Sequence, residues 1–157
     1  MTAQAFEWVK ASNGAIPNNA IAQGVERDGR PLYIARAFFK GGLHPGKAAP
    51  HLANGGFATG YAGQAVELNE YFVLCGDINR TQWVAEKGPV PRQSHGLALV
   101  EGGHEANGEP LYIAKANYNN SQQLGKAGHH LGQGMNFVFG NYEQSQKEYV
   151  VLAYRQQ

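Results

Sequence analysis

Two glutamates and two lysines recur along the chain at one spacing: Lys47 lies 21 residues after Glu26, and Lys126 lies 21 residues after Glu105. A surface charge contributes little to folding, so a charge kept twice at the same place asks for another reason. Two reasons fit these residue types. One is a structural ion pair that pins a loop. The other is a small polar site, in which a carboxylate accepts hydrogen bonds from adjacent hydroxyls and an ammonium donates to their oxygens. A vicinal diol of a sugar ring presents that pattern. Glu26 is expected at a strand end before a turn and Lys47 in a following loop, so that the two side chains meet at one end of the fold.

Other chemistries fit less well. Lys47 closes the stretch G-G-L-H-P-G-K-A over 41–48, which has the G-x-x-x-x-G-K spacing of a phosphate loop. That motif needs a Ser or Thr next and a helix beyond it. Here Ala48 follows, then Pro50 and Gly55-Gly56, and the second copy has Asn120 at the first glycine position. Only Gly46-Lys47 and Gly125-Lys126 survive in both copies, which argues against a nucleotide. Of the six histidines, His44 aligns with Gln123 and His104 with Val25, and no recurring histidine pair is apparent. His129-His130 with His44 or His51 form one conceivable metal set, disfavoured because adjacent strand residues point to opposite faces. No metal and no cofactor is expected. Cys75 aligns with Ala153 in an apolar run and reads as a buried thiol rather than a nucleophile. Glu26 with Glu105 have the residue types of a glycosidase pair, but equivalent points of two repeats imply two separate sites.

The elements that carry these residues come from a duplication. Residues 24–37 (GVERDGRPLYIARA) and 103–116 (GHEANGEPLYIAKA) agree at nine of fourteen positions. Trp8 aligns with Trp83, LHPGKA (43–48) with QQLGKA (122–127), and NEYFVLC (69–75) with KEYVVLA (147–153). The offset grows from 75 at the tryptophans to 79 in the central block, so the second copy carries about four extra residues near RQSHGLALVEGG. The repeats span 6–77 and 81–154 and are expected to share one domain over 1–157, each being too small to bury a core alone. Asp28-Gly29 and Asn107-Gly108 suggest type I′ hairpin turns. Pro31 and Pro110 then open the LYIARA and LYIAKA strands. Both faces of EYFVLC and EYVVLAY are apolar, as in strands covered on two sides. Arg36 and Lys115 keep a positive charge that is expected to stack over the glutamate's strand. Tyr33/Tyr112 and Trp8/Trp83 offer faces for sugar stacking, with packing at the repeat interface the preferred reading for the tryptophans.

Composition agrees with this texture. The 157 residues carry 21 glycines among short segments rich in Tyr, Phe, Val and Ile, which disfavours helices and favours many short strands. Thirteen basic against twelve acidic residues removes the electrostatic case for nucleic acid. No apolar run approaches the ~20 residues of a spanning helix. No secretory leader is apparent in MTAQAFEWVK, so a cytoplasmic location is the simplest expectation, with secretion by another route as the alternative.

These blocks, W-V-x-x-S-x-G-x-I-P, G-x-E-x-x-G-x-P-L-Y-I-A-R-A, L-x-P-G-K and E-Y-x-V-L-C, resemble the DM-nine repeat, over about residues 6–154. The repeat occurs in tandem in lectin-like proteins and in the N-terminal part of natterin-like toxins. The resemblance implies an all-β fold of two pseudo-symmetric repeats packed as one β-sandwich or barrel-like domain. It also implies metal-independent recognition of mannose-type glycans through an acid and a lysine spaced as here. Carried over, those residues are Glu26 with Lys47 and Glu105 with Lys126. The family's known sugar site uses aspartate, and the longer glutamate moves the carboxylate by roughly 1.5 Å. The first repeat, with its intact GGLHPGK loop, is expected to be the stronger site. The expected partners are mannose or mannose-containing glycans, with no nucleic acid and no membrane insertion. Multivalency would come from the two repeats and from a homodimer. The rival readings are a protein-interaction or membrane-targeting module of natterin type and a glycan-active enzyme.

Overall fold

A computed structural model describes residues 6–156 of the chain. Among them are sixteen strands and no helix, as the spread of glycine and proline requires. The first repeat supplies β1 (Phe6–Ser12), β2 (Ala22–Val25), β3 (Pro31–Phe39), β4 (Gly42–Ala48), β5 (Phe57–Tyr61), β6 (Gln64–Leu68) and β7 (Glu70–Gly76). The second begins with β8 (Thr81–Lys87). Its extra residues form a small hairpin, β9 (Gln93–Ser94) with β10 (Leu97–Ala98), that the first repeat lacks. It then follows the first with β11 (Glu101–His104), β12 (Pro110–Tyr118), β13 (Ser121–Ala127), β14 (Met135–Phe139), β15 (Tyr142–Gln146) and β16 (Glu148–Tyr154).

Eight strands close an antiparallel barrel in the order β3-β2-β13-β14-β15-β6-β5-β4, with β3 pairing back onto β4. The repeats are interlocked rather than merely adjacent. β2 of the first repeat pairs with β13 of the second at Val25 and Gln122, and β11 of the second pairs with β4 of the first at His104 and Leu43. β4 thus shares one edge between β11 and its own β5, and β13 shares one between β2 and its own β14. Beside the short β4–β5 and β13–β14 pairings the backbones come very close. A Cβ on Gly46 would sit 2.2 Å from the Ala58 carbonyl oxygen, and one on Gly125 would sit 2.0 Å from that of Asn136. The recurring glycine before each lysine is therefore a packing requirement.

The core has three parts. One belongs to the second repeat around Phe137, Met135 and Val151, and one to the first around Phe57, Tyr71 and Val73. The third mixes both repeats, with Leu32, Ile34 and Leu74 against Ile113, Leu124 and Leu152. Each fully buried aliphatic side chain contributes about 1.5–3 kcal/mol, so this shared cluster holds the two halves against each other. Trp8 and Trp83 pack against it, and Tyr112 and Tyr33 pack into the second and first cores. Cys75 is a buried free thiol.

Two local expectations change. The Asp28-Gly29 turn is not type I′, because only Gly29 is left-handed, at φ +92. Glu26 closes a three-residue loop, accepting from Gly29 N–H and donating to the Arg30 carbonyl, and Asn107-Gly108 repeats this. The two-residue primed turns instead join β3 to β4 at Lys40-Gly41 and β12 to β13 at Asn119-Asn120. The second change concerns Lys47. It lies within β4, not in a loop, because the strand runs through Pro45 and Gly46 to Ala48.

Candidate functional site

Each lysine occupies the next-to-last position of a central strand, β4 or β13, and each glutamate directly follows a short strand, β2 or β11. Both lysines are buried, at 5% and 3% exposure. They belong to two separate polar sites, each completed by a residue of the opposite repeat.

In the first site the Lys47 ammonium donates to Gln123 Oε1 at 2.7 Å and to the Val138 carbonyl at 2.8 Å. Gln123, fully buried on β13, passes the contact on, with its Nε2 donating to Glu26 Oε1 at 3.0 Å. The other carboxylate oxygen of Glu26 meets His51 Nε2 at 2.8 Å. Glu26 and Lys47 are thus joined through an amide rather than as a direct ion pair. Burial pushes the Glu26 carboxyl up, but the bonds from His51 and Gln123 and the charge of Lys47 outweigh it and hold the carboxyl below its ordinary range. Burial draws the Lys47 ammonium down, opposed by Glu26.

In the second site Lys126 meets His44 Nδ1 at 2.9 Å, from β4 of the first repeat, where the first site has Gln123. An ammonium can only donate, so Nδ1 accepts and His44 is neutral. Burial foremost, then the charge of Lys126, pushes His44 down to about 4. Glu105 Oε2 meets His130 Nε2 at 2.8 Å, and Glu109 lies 3.8 Å from the other ring nitrogen. Burial draws Lys126 down while Glu105 and Glu143 oppose it. A cavity of about 370 Å³ opens beside it, lined by Tyr61, Glu105, Lys126, Leu131, Asn136 and Glu143 among others.

All four expected residues thus stand in these two sites. Sequence reasoning missed their partners. His51 and His130 recur at the same 79-residue offset as the central block, within HLANGG and HLGQGM, so the expectation of no recurring histidine pair was mistaken. They sit in turns after the lysine strands. His129 also lies in that turn rather than in a strand, and its Nδ1 meets the Val90 carbonyl at 2.6 Å. Among the described residues no group of three or more His, Cys, Asp or Glu is placed to hold a metal ion. Arg36 stacks 4.0 Å over Trp8 and donates to the Gly102 carbonyl, and Lys115 stacks 4.5 Å over Trp83 and donates to that of Gln23. The recurring positive charge does reach a glutamate's strand, but that of the opposite repeat.

The DM9 repeat family model matches residues 1–58 and 37–146. The chain belongs to the DM9 repeat family. No curated protein matches it. Among solved structures it is similar to the crystal structure of the nematode sperm cell motility protein MFP2B, with a TM-score of 0.68 at 14% identity. The match covers 99% of this chain and 48% of that one, so the chain spans about half that protein's length. At such identity the likeness is one of fold, an all-β barrel.

Proposed function

We propose that this DM9 repeat protein is a binding module that recognises mannose-type glycans without a metal, through one Glu–Lys site in each repeat. The observation that carries the reading is the second site, where a buried ammonium with a single protein partner among the described residues faces a cavity lined by carboxylates. An ammonium has three donors, so two of Lys126 are free for ligand oxygens, while Glu105 accepts from hydroxyls and Tyr61 offers a ring edge or face. The second repeat is therefore the stronger site in this proposal, in place of the first. Two sites on one rigid domain, doubled again in a homodimer, turn weak single-site binding into avidity. No enzyme chemistry is assigned. The two glutamates belong to different lysines, and the family is one of binding modules.

Retention on mannose-agarose, followed by calorimetric titration with a mannoside, tests the proposal. Wild type is expected to bind equally with and without EDTA. Lys126→Ala is expected to lose most of the binding, and Lys47→Ala combined with Lys126→Ala all of it. A folded double variant that binds like wild type, or a wild type that ignores every mannose-type glycan, would sink the reading. The second result would favour a module that recognises protein surfaces.

A further inference from the structure

The second cavity carries a charge that the first site does not. In the β14–β15 hairpin Glu143 stands across from Val138, and at the equivalent place in β5–β6 Ala65 stands across from Gly60. The two differences fit each other. The Glu143 side chain lies over the bare backbone of Gly60, where an added Cβ would meet its Cγ and Oε2 at 2.5 Å. Its Oε1 accepts from the Gly63 N–H at 2.9 Å. The carboxylate of one repeat is thus seated on the hairpin of the other, next to Tyr61 and Ala62, and lines the cavity with Glu105 and Lys126.

The charges around the two lysines then differ in sign balance. At the first site Glu26 faces Lys47 one to one, with His51 bonded to the carboxylate. At the second, both Glu105 and Glu143 face Lys126, while His130 is bonded to Glu105 and has Glu109 3.8 Å from its other ring nitrogen, so carboxylates outnumber the ammonium. His44, which faces Lys126 from β4, is neutral and adds no charge.

Resting on the glycan reading, we infer that the second-repeat cavity selects sugars bearing a protonated amine, and that Glu143 sets this preference. A carboxylate oxygen not used by Gly63 accepts from an ammonium, a charge-assisted bond about twice as strong as its neutral equivalent.

Backbone NMR titration with mannose and with 2-amino-2-deoxymannose, at a pH where the amine is protonated, reads the two sites separately. Amides near Gly63 and Glu105 report the second, and amides near Glu26 and His51 report the first. The amino sugar is expected to bind the second site about tenfold more tightly than mannose, and the first with no preference. E143Q should bring the ratio at the second site to within about twofold. G60A, whose new methyl meets only the movable glutamate side chain among its nearest neighbours, should lower the ratio as well. Mannose binding with the same ratio at both sites, or a tenfold preference that survives E143Q, overturns this inference alone. Shifts from neither sugar at either site overturn the glycan reading and this inference with it.

Discussion

The two lysine sites stand at equivalent places in the two repeats and are built differently. Around Lys47 the protein supplies its own ligand: the Gln123 amide takes one N–H and passes a donor to Glu26, and the Val138 carbonyl takes another. Around Lys126 the corresponding place is held by His44, which takes one N–H and passes nothing to Glu105, and a cavity opens in front. Neither difference lies in the recurring Glu or Lys. The relay differs because the opposite repeat sends across Gln123 in one site and His44 in the other, so the interlocking of the halves lets identical charges diverge. The first site reads as a structural relay, and the second as a place left open for a guest.

The largest expected effect falls on what the two sites share. Gly46→Ala and Gly125→Ala each place a methyl about 2 Å from a backbone carbonyl of the neighbouring strand. Each should cost about 3–5 kcal/mol or prevent folding, measured by urea denaturation. If one is tolerated, the two close approaches are not equivalent and the sites do not share one frame.

Acid separates the sites next. His44 has a folded pKa of about 4, against 6.5 in the unfolded chain. Between those values the unfolded state binds a proton that the native state refuses, so stability is present above about 6.5 and falls as pH drops toward 4. The full loss is about 3 kcal/mol. His44→Gln, which gives the second site the residue of the first, should remove that part of the pH slope. Gln123→His should add a slope of the same sign. Denaturation midpoints at neutral pH and near pH 4.5 decide it, and parallel curves for wild type and His44→Gln would remove His44 as the cause.

The strands that frame the two sites were legible in the sequence, but the partners of the lysines were not. Duplication, the LYIARA and LYIAKA strands, and the doubly covered EYFVLC and EYVVLAY strands all followed from local pattern. Lys47 did not, because Pro45 and Gly46 mark turns in most contexts. Here the glycine is fixed by the close approach of β5, the strand that pairs with β4. Gln123 and His44 were invisible for a different reason: they occupy equivalent positions but differ in type, and each works in the other repeat's site. Only the fold shows that crossing. His51 and His130 were readable, since HL followed by a glycine recurs at the common offset.

Truncating the lysines without replacing their polarity gives the next smaller contrast. Lys47→Met leaves the Gln123 Oε1 and the Val138 carbonyl buried without their donor, at about 2–4 kcal/mol for the pair. Lys126→Met strips a donor only from His44 Nδ1, and since either substitution relieves the burial of an ammonium, a smaller loss of about 1 kcal/mol is expected. Equal losses in denaturation would mean that Lys126 is as fully engaged as Lys47, and that the second site is not open.

The smallest effect concerns the histidines that brace the glutamates. His51 and Glu26 are 14% and 19% exposed, whereas His130 and Glu105 are 30% and 23% exposed, so water screens the second pair more. His51→Ala should cost about 1 kcal/mol, and His130→Ala less than about 0.5 kcal/mol. Their influence on binding should run the other way. Removing His51 disturbs a carboxylate already tied to Gln123, while removing His130 frees the Glu105 carboxylate that lines the cavity to turn away from it. A variant that is nearly neutral in denaturation but weakens glycan retention marks the residue that orients a binding group, and His130→Ala is expected to behave so. If His51→Ala weakens retention more, the guest occupies the first site, and the roles assigned to the two lysines must be exchanged.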